Sequence, residues 1–249
     1  MHTWLLRSAD LVFVLSRGLA EHLIASGLPG SRVHLIPLGV ELHTHRPLRP
    51  RAMDDRPWVV FAGRLVREKG LGDLVEAVEA FPARAGLLIV GDGPYRAQLE
   101  SQMRGPIQDG RVRFVGALPH AEVRPYLHHA DVVVLPSWYE ERGRVVLEAM
   151  AEGTPVIATR TGGIPESLRD GVNGLLVPAH DPGRLAAAIG RILGDANLAA
   201  SLGAAGRRRA VDQGIGELAD ITLAAYAKVA GSGSHTSAEA FETVGSRDR

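Results

Sequence analysis

The chain has 249 residues, 45% hydrophobic and 22% charged, with 28 basic and 28 acidic side chains that cancel to a formal net charge of zero. At ~100–200 residues per domain this is enough for one full domain and part of another. The charge balance excludes a partner held mainly through a polyanionic backbone, so no nucleic acid is expected. Having no cysteine removes disulfides, cysteine–zinc sites, iron–sulfur clusters and thiol nucleophiles together. No apolar run reaches the ~18–20 residues of a membrane span. The first ten residues lack the basic start and apolar core of a signal peptide, so a soluble, cytoplasmic-type chain is expected.

Short apolar, β-branched runs alternate with helix-like segments throughout. The runs are Leu11–Leu15, Val33–Ile36, Trp58–Phe61, Leu87–Val90, Val112–Val115, Val132–Leu135, Val156–Ala158 and Leu175–Val177. They are continuous rather than alternating, the pattern of strands buried on both faces of a parallel sheet. Leu71, Leu74, Val75 and Val78 recur at helical spacing, one apolar stripe for the sheet to cover. Pro94–Arg104, Glu122–His129, Arg144–Glu152 and Arg184–Leu193 read as helices in the same way. Strand–helix alternation of this kind predicts right-handed βαβ units in a doubly wound, Rossmann-like α/β fold.

Residues 41–57 carry Pro47, Pro50 and Pro57 with little periodicity and read as a linker. Before it a helix, strand, helix and strand are expected, too few for a sheet of their own. The expected organisation is an incomplete set of elements over residues 1–45, a linker over 46–57, a complete sheet domain over 58–213, a helix over 214–230 and a disordered tail over 231–249.

Ligands of open α/β sheets bind outside the carboxyl ends of the strands, where the winding switches direction. Five loops leave the strands there, and all contain glycine: Gly63 and Gly70, Gly91 and Gly93, Gly116, Gly143, and Gly162–Gly163. Arg64 and Lys69 flank a glycine-bounded turn just ahead of a helix, where an anion would also meet helix N-terminal amides. Lys69 and Lys228 are the only lysines in an otherwise all-arginine basic set, which sharpens interest in Lys69. Solvated surface charges are the alternative; position at the sheet's functional edge favours phosphate. Glu140 and Glu148 stand with seven residues between them, Gly143 among these. Ionised carboxylates accept hydrogens from the vicinal hydroxyls of a ribose or hexose, so the pair beside a cationic cradle suits a sugar nucleotide. General acid–base work and plain solvation are the alternatives for the two glutamates.

The motifs G-R-L-V-R-E-K-G (63–70), V-G-D-G-P (90–94), V-R-F-V-G (112–116), E-E-R-G-R-V-V-L-E-A-M (140–150), G-T-P-V-I (153–157) and T-G-G-I-P-E (161–166) occur in this order. With Ala130–Ser137 and Asn173–Pro178 they resemble the donor-binding half of the retaining glycosyltransferases of family 4. The resemblance runs over roughly residues 33–226. It implies one Rossmann-like half of a GT-B fold with a remnant of the other half. The implied activity is transfer of a hexosyl unit from a nucleoside-diphosphate sugar with retention of configuration, with no bound cofactor and no metal. It also implies that Arg64 and Lys69 hold the donor diphosphate, Glu140 the transferred sugar and Glu148 the ribose hydroxyls. Gly63, Gly91 and Gly93 would line the donor site, and Gly116, Leu118 and His120 the base pocket. Gly143, Arg144 and Val145 would face phosphates or sugar from the helix start, and Gly162 and Gly163 would approach the sugar.

Two departures stand out. Glu141 and Arg142 follow the first glutamate where the family often has a small residue and Phe; Arg142 would either touch phosphate or pair with Glu141. The acceptor domain is represented only by residues 1–40, so the chain is expected to be a truncated or split enzyme. Its acceptor (glycan, lipid or small molecule) is unknown, a partner chain is one way to complete it, and attachment to the inner membrane face would belong to the missing half. Alternatives are a non-catalytic sugar-nucleotide-binding subunit, or an epimerase or phosphorylase of the same architecture. A dinucleotide oxidoreductase fails because Arg96 stands where the third glycine of G-x-G-x-x-G belongs, and no P-loop motif occurs. His43, His45, His128 and His129 read as surface histidines, Arg207–Arg209 as a solvated helix face, and Asp92 as a turn residue or donor ligand.

Overall fold

The computed structural model describes residue 6 and residues 8–36, 38–213 and 215–231. They divide into two compact units: residues 40–212, and a smaller one combining the residues up to Gly39 with those from Gln213 onward. The expected first helix lies outside the described residues, as does the tail expected over 231–249 except for Gly231, which ends a helix.

The smaller unit pairs β1 (Val12–Val14) in parallel with β2 (Val33–Leu35), joined through α1 (Arg17–Ala25). Ser16 caps α1 by accepting the Leu19 backbone N–H at 3.3 Å. Val14, Ala20, Leu23, Leu28 and Val33 form its core. The last described helix, Ile215–Gly231, belongs to this unit, and its Tyr226 meets Phe13 edge-on at 5.8 Å.

The larger unit is built on strands β3 (Trp58–Ala62), β4 (Gly86–Val90), β5 (Val112–Gly116), β6 (Val132–Leu135), β7 (Val156–Thr159) and β8 (Leu175–Val177). All pair in parallel in the order β5-β4-β3-β6-β7-β8. This is the doubly wound sheet expected, with its switch point between β3 and β6. Every residue of β3, β4, β6 and β7 is buried, which is why those runs are continuously apolar. The edge strand β5 fully buries only Val112. The connecting helices are α2 (Leu71–Val78), α3 (Arg96–Gln102), α4 (Arg104–Gln108), α5 (His120–His128), α6 (Arg144–Ala151) and a short α7 (Ile164–Ser167). After β8 come α8 (Pro182–Gly194) and α9 (Ala196–Val211); α2 packs against α8, and α6 against α9. Asp181 and Asp195 cap α8 and α9, accepting the Arg184 and Leu198 backbone N–H groups.

Three local differences from the expected elements have physical causes. The single helix expected over 94–104 breaks at Met103, because Pro106 in a continuous helix would clash with the carbonyl four residues back. Restarting at Arg104 puts Pro106 in a first turn, where its missing N–H costs nothing. The stripe of α2 is rotated: Ala77 and the polar Asp73 are buried, while Val75 is only half-buried. The segment read as a linker over 46–57 lies within the larger unit, which begins at Val40, and is fastened to the sheet. Asp54 accepts Arg56 Nε and an Arg113 Nη, both at 2.8 Å, and Arg113 also donates to the Ala52 carbonyl at 2.7 Å. Both guanidiniums lie over the fully buried Trp58 ring, 5.4 and 4.8 Å from its centroid. Burial works to raise the Asp54 pKa, but the Arg56 and Arg113 hydrogen bonds outweigh it and hold the carboxyl below its ordinary value. Among the described residues no single helix is long and apolar enough to cross a membrane.

Candidate functional site

A cleft of about 470 Å³ opens at the carboxyl ends of β3, β4 and β6, on the switch point of the sheet. The first wall is the loop after β3. It runs through Arg64, makes a 3-10 turn over Arg67–Lys69 and enters α2 at Gly70. Gly70 sits at φ 66°, and a Cβ there would overlap the Pro136 carbonyl of the loop after β6. Only glycine meets both demands, and the close approach brings the two loops together. Trp138 fixes the contact by donating its backbone N–H to the Glu68 carbonyl at 2.8 Å.

Lys69 and Glu140 consequently meet as an ion pair on the cleft wall, with 24% and 15% of their side chains exposed. Arg64 lines the same cleft, is exposed, and has no side-chain partner among the described residues. Across the cleft, Glu148 projects from the second turn of α6. It takes Arg144 Nε at 2.9 Å and His120 Nε2 at 2.8 Å, with 17% of its side chain exposed. A carboxylate has about four acceptor sites, so Glu148 keeps capacity for a diol beside these two contacts. A smaller pocket of about 270 Å³ adjoins, sharing His120, Val123, Arg144 and Glu148 and extending to His43 and His45.

Of the residues singled out in the sequence, the structure gathers Gly63, Arg64, Lys69, Gly91, Leu118, His120, Glu140, Gly143, Arg144, Val145 and Glu148 around the cleft. Gly93, Gly116, Gly162 and Gly163 stand behind its walls. Gly93 packs against the Leu65 backbone, and Gly116 bridges to Gly91 across β4 and β5. A Cβ at Gly162, whose φ is 50°, would strike the Glu140 carbonyl, and Gly163 donates its N–H to Glu141 at 2.8 Å. These two glycines therefore seat the loop that carries Glu140. Ala62, Val90, Ala117, Val123 and Leu135 complete the walls; only their places at strand ends and in the first turn of α5 could have marked them. Asp92, also in the wall, makes the turn contact expected of it, accepting the Gly93 N–H at 2.7 Å, and pairs with Arg96 at 3.1 Å.

Arg142 takes neither role expected for it. It is buried, 6% of its side chain exposed, and pairs with Glu166 of α7 at 2.9 Å rather than with Glu141 or the cleft. Burial pushes its pKa down, offset in part by Glu166. The histidines outside the cleft are tied to protein: His128 to Glu152 at 2.8 Å and His129 to the Pro47 carbonyl at 3.0 Å. Of the arginine run on α9, Arg207 reaches the His43 carbonyl and Arg209 the Glu166 carbonyl. Among the described residues no group of three or more His, Asp or Glu side chains is placed to hold a metal ion.

The model of the family described as "Glycosyl transferases group 1" matches residues 56–195. The alpha-maltose-1-phosphate synthase of Mycolicibacterium smegmatis is 33% identical over 247 residues, covering 89% of this chain and 64% of that protein. The sucrose-phosphate synthase of Thermosynechococcus elongatus superposes with a TM-score of 0.78 at 35% identity, over 92% of this chain and 61% of that one. Anabaena HepE, solved with UDP-glucose, shares the fold at a TM-score of 0.81 and 23% identity, over 90% of this chain and 66% of that one. The chain spans 46–64% of the length of the first curated relatives it matches. The larger unit is thus one Rossmann-like half of a GT-B fold.

Proposed function

We propose that this chain, which belongs to the glycosyl transferases group 1 family, binds a nucleoside-diphosphate sugar in the cleft at the switch point and serves its transfer, with retention, to a hydroxyl acceptor. The observation that carries the reading is the division of charge in the cleft: Arg64, with no side-chain partner among the described residues, and Lys69 held against Glu140 on one side, Glu148 on the other. The diphosphate spans Arg64 and Lys69. An ammonium has three donors, so Lys69 holds a phosphate oxygen without releasing Glu140. Glu140 then accepts hydroxyls of the transferred hexose, and Glu148 those of the ribose.

Breaking the anomeric C–O bond leaves the electron pair, and a growing negative charge, on the departing phosphate. Cations fixed there before the reaction stabilise that charge without reorganising, an effect worth about 3–4 kcal/mol per contact. No cofactor or metal is required in this reading. The acceptor hydroxyl is presented by groups outside the cleft residues named here, from the remainder of a GT-B enzyme or from a partner chain.

Thermal unfolding of the chain against UDP, GDP, ADP and their hexose conjugates tests the binding step. A ligand at about 100 times its dissociation constant adds ~2.7 kcal/mol to stability. One nucleoside diphosphate should raise Tm in the wild type and fail to do so in Glu148→Ala. Equal behaviour of wild type and variant with every nucleotide would refute the proposed donor site.

A further inference from the structure

Asp73 stands in the first turn of α2, just beyond the loop that carries Lys69, but is not among the residues that line the cleft. Asp73 is the buried polar residue in the first turn of α2, 9% exposed, on a helix face otherwise given to Leu71, Leu74, Ala77 and Val78. Its Oδ2 accepts two hydrogen bonds, each from a different loop. The Trp138 indole Nε1–H donates at 2.9 Å and the His180 backbone N–H at 3.1 Å. Neither donor is charged. Burying a carboxylate against neutral donors costs desolvation that an apolar side chain on this face would not incur.

Trp138 explains what that cost secures. Its backbone N–H binds the carbonyl of Glu68, the neighbour of Lys69, and its ring binds Asp73, four residues beyond Lys69. Its Cδ1 and the Pro136 carbonyl fill the space where a Cβ at Gly70 would stand. The turn bearing Lys69 is therefore gripped from both ends by one residue, and that residue lies two positions before Glu140. His180 closes the grip from behind. Its ring lies 4.4 Å from the Trp138 ring, and its backbone takes φ 59°, the only non-glycine residue in the left-handed region among those described.

We propose that Asp73, acting through Trp138, is a positioning residue that holds Lys69 and Glu140 against each other for the phosphate and sugar of the donor. The proposal rests on the donor reading of the cleft, but the clamp can be read without a nucleotide. Lys69 and Lys228 are the only lysines, so acylation by an amine-selective ester, followed by peptide mass spectrometry, gives a Lys69 rate with Lys228 as internal reference.

In the wild-type chain Lys69 should react slowly, protected by Glu140. Asp73→Ala should raise the Lys69/Lys228 ratio by about tenfold, equivalent to ~1.4 kcal/mol. Trp138→Phe, which keeps an aromatic ring but removes the indole N–H, should move it in the same direction. Asp73→Asn retains an acceptor oxygen and should restore the wild-type ratio, a rescue that general loosening of the core would not give. On the nucleotide that raises Tm, Asp73→Ala should narrow the affinity gap between diphosphate and monophosphate, because only the diphosphate reaches Lys69. Unchanged labelling in both Asp73→Ala and Trp138→Phe overturns the clamp, whatever the nucleotide result. Altered labelling in a chain that binds no nucleotide leaves the clamp standing and removes the donor reading instead.

Discussion

Two clusters of charge in the larger unit use similar residues to opposite ends. Around Trp58, Asp54 is shared by Arg56 and Arg113, and a second nitrogen of each guanidinium finds a carbonyl, Gly110 for Arg56 and Ala52 for Arg113. Both cations there meet acceptors supplied by the fold, and the result is a segment fastened to a sheet. At the cleft the balance is left open. Arg64 has no side-chain partner among the described residues, and Lys69 has Glu140 alone. A charge satisfied within the fold holds structure, whereas one left over at the switch point of a parallel sheet is available to a ligand. The same residue type thus carries different information according to what already surrounds it.

The largest effect should follow from removing a cleft charge. On the proposed reading, Lys69→Ala should lower donor turnover in the completed enzyme by about 10²–10³. Donor affinity, measured by titration calorimetry, should weaken by a much smaller factor, since the charge on the leaving phosphate grows mainly in the transition state. Equal losses in turnover and affinity would assign Lys69 to plain binding and contradict its role at the leaving group.

Arg142 combines features of both clusters. It is buried in the loop that carries Glu140, yet its partner Glu166 comes from α7. Glu166→Ala should leave that guanidinium buried without its carboxylate and cost about 3 kcal/mol, at the lower end for such pairs because Glu166 is partly exposed. For a unit of this size that is roughly 6–12 °C in Tm at ~2–4 °C per kcal/mol. Arg142→Met should cost much less, because it removes charge and desolvation penalty together. A melting curve in which the two variants fall equally would show that packing, not the ion pair, seats the loop.

The sheet was legible because burial on both faces imposes an unbroken apolar pattern, and β3, β4, β6 and β7 carry it. The cleft was legible because close approach of backbones demands glycine at strand ends, as at Gly70 and Gly91. Which glycines face the cleft was not legible: Gly162 and Gly93 are required by neighbouring backbone just as strictly, and a sequence records the requirement without its direction. Partner choice was also hidden. Arg142 pairs with a residue 24 positions away rather than with its neighbour Glu141, a consequence of how the loops after β6 and β7 stack. The proline-rich stretch over 46–57 lacks periodicity because side-chain contacts to Arg113 and Trp58, not regular hydrogen bonding, hold it in place.

The smallest effect belongs to that stretch, and pH separates it from the others. The Asp54 carboxyl lies below its ordinary value in the folded chain, against about 3.9 when unfolded. Its contribution to stability is therefore complete above the unfolded value and is lost as pH falls through the folded one. With roughly two-fifths of the side chain exposed, the contribution should stay below about 1 kcal/mol. Asp54→Asn should accordingly lower Tm slightly at neutral pH, and the difference from wild type should shrink as pH falls below about 4. Urea unfolding at neutral and acidic pH measures it. A difference that persists unchanged in acid would mean that the shape of the Asp54 side chain, rather than its charge, holds Arg56 and Arg113 over Trp58.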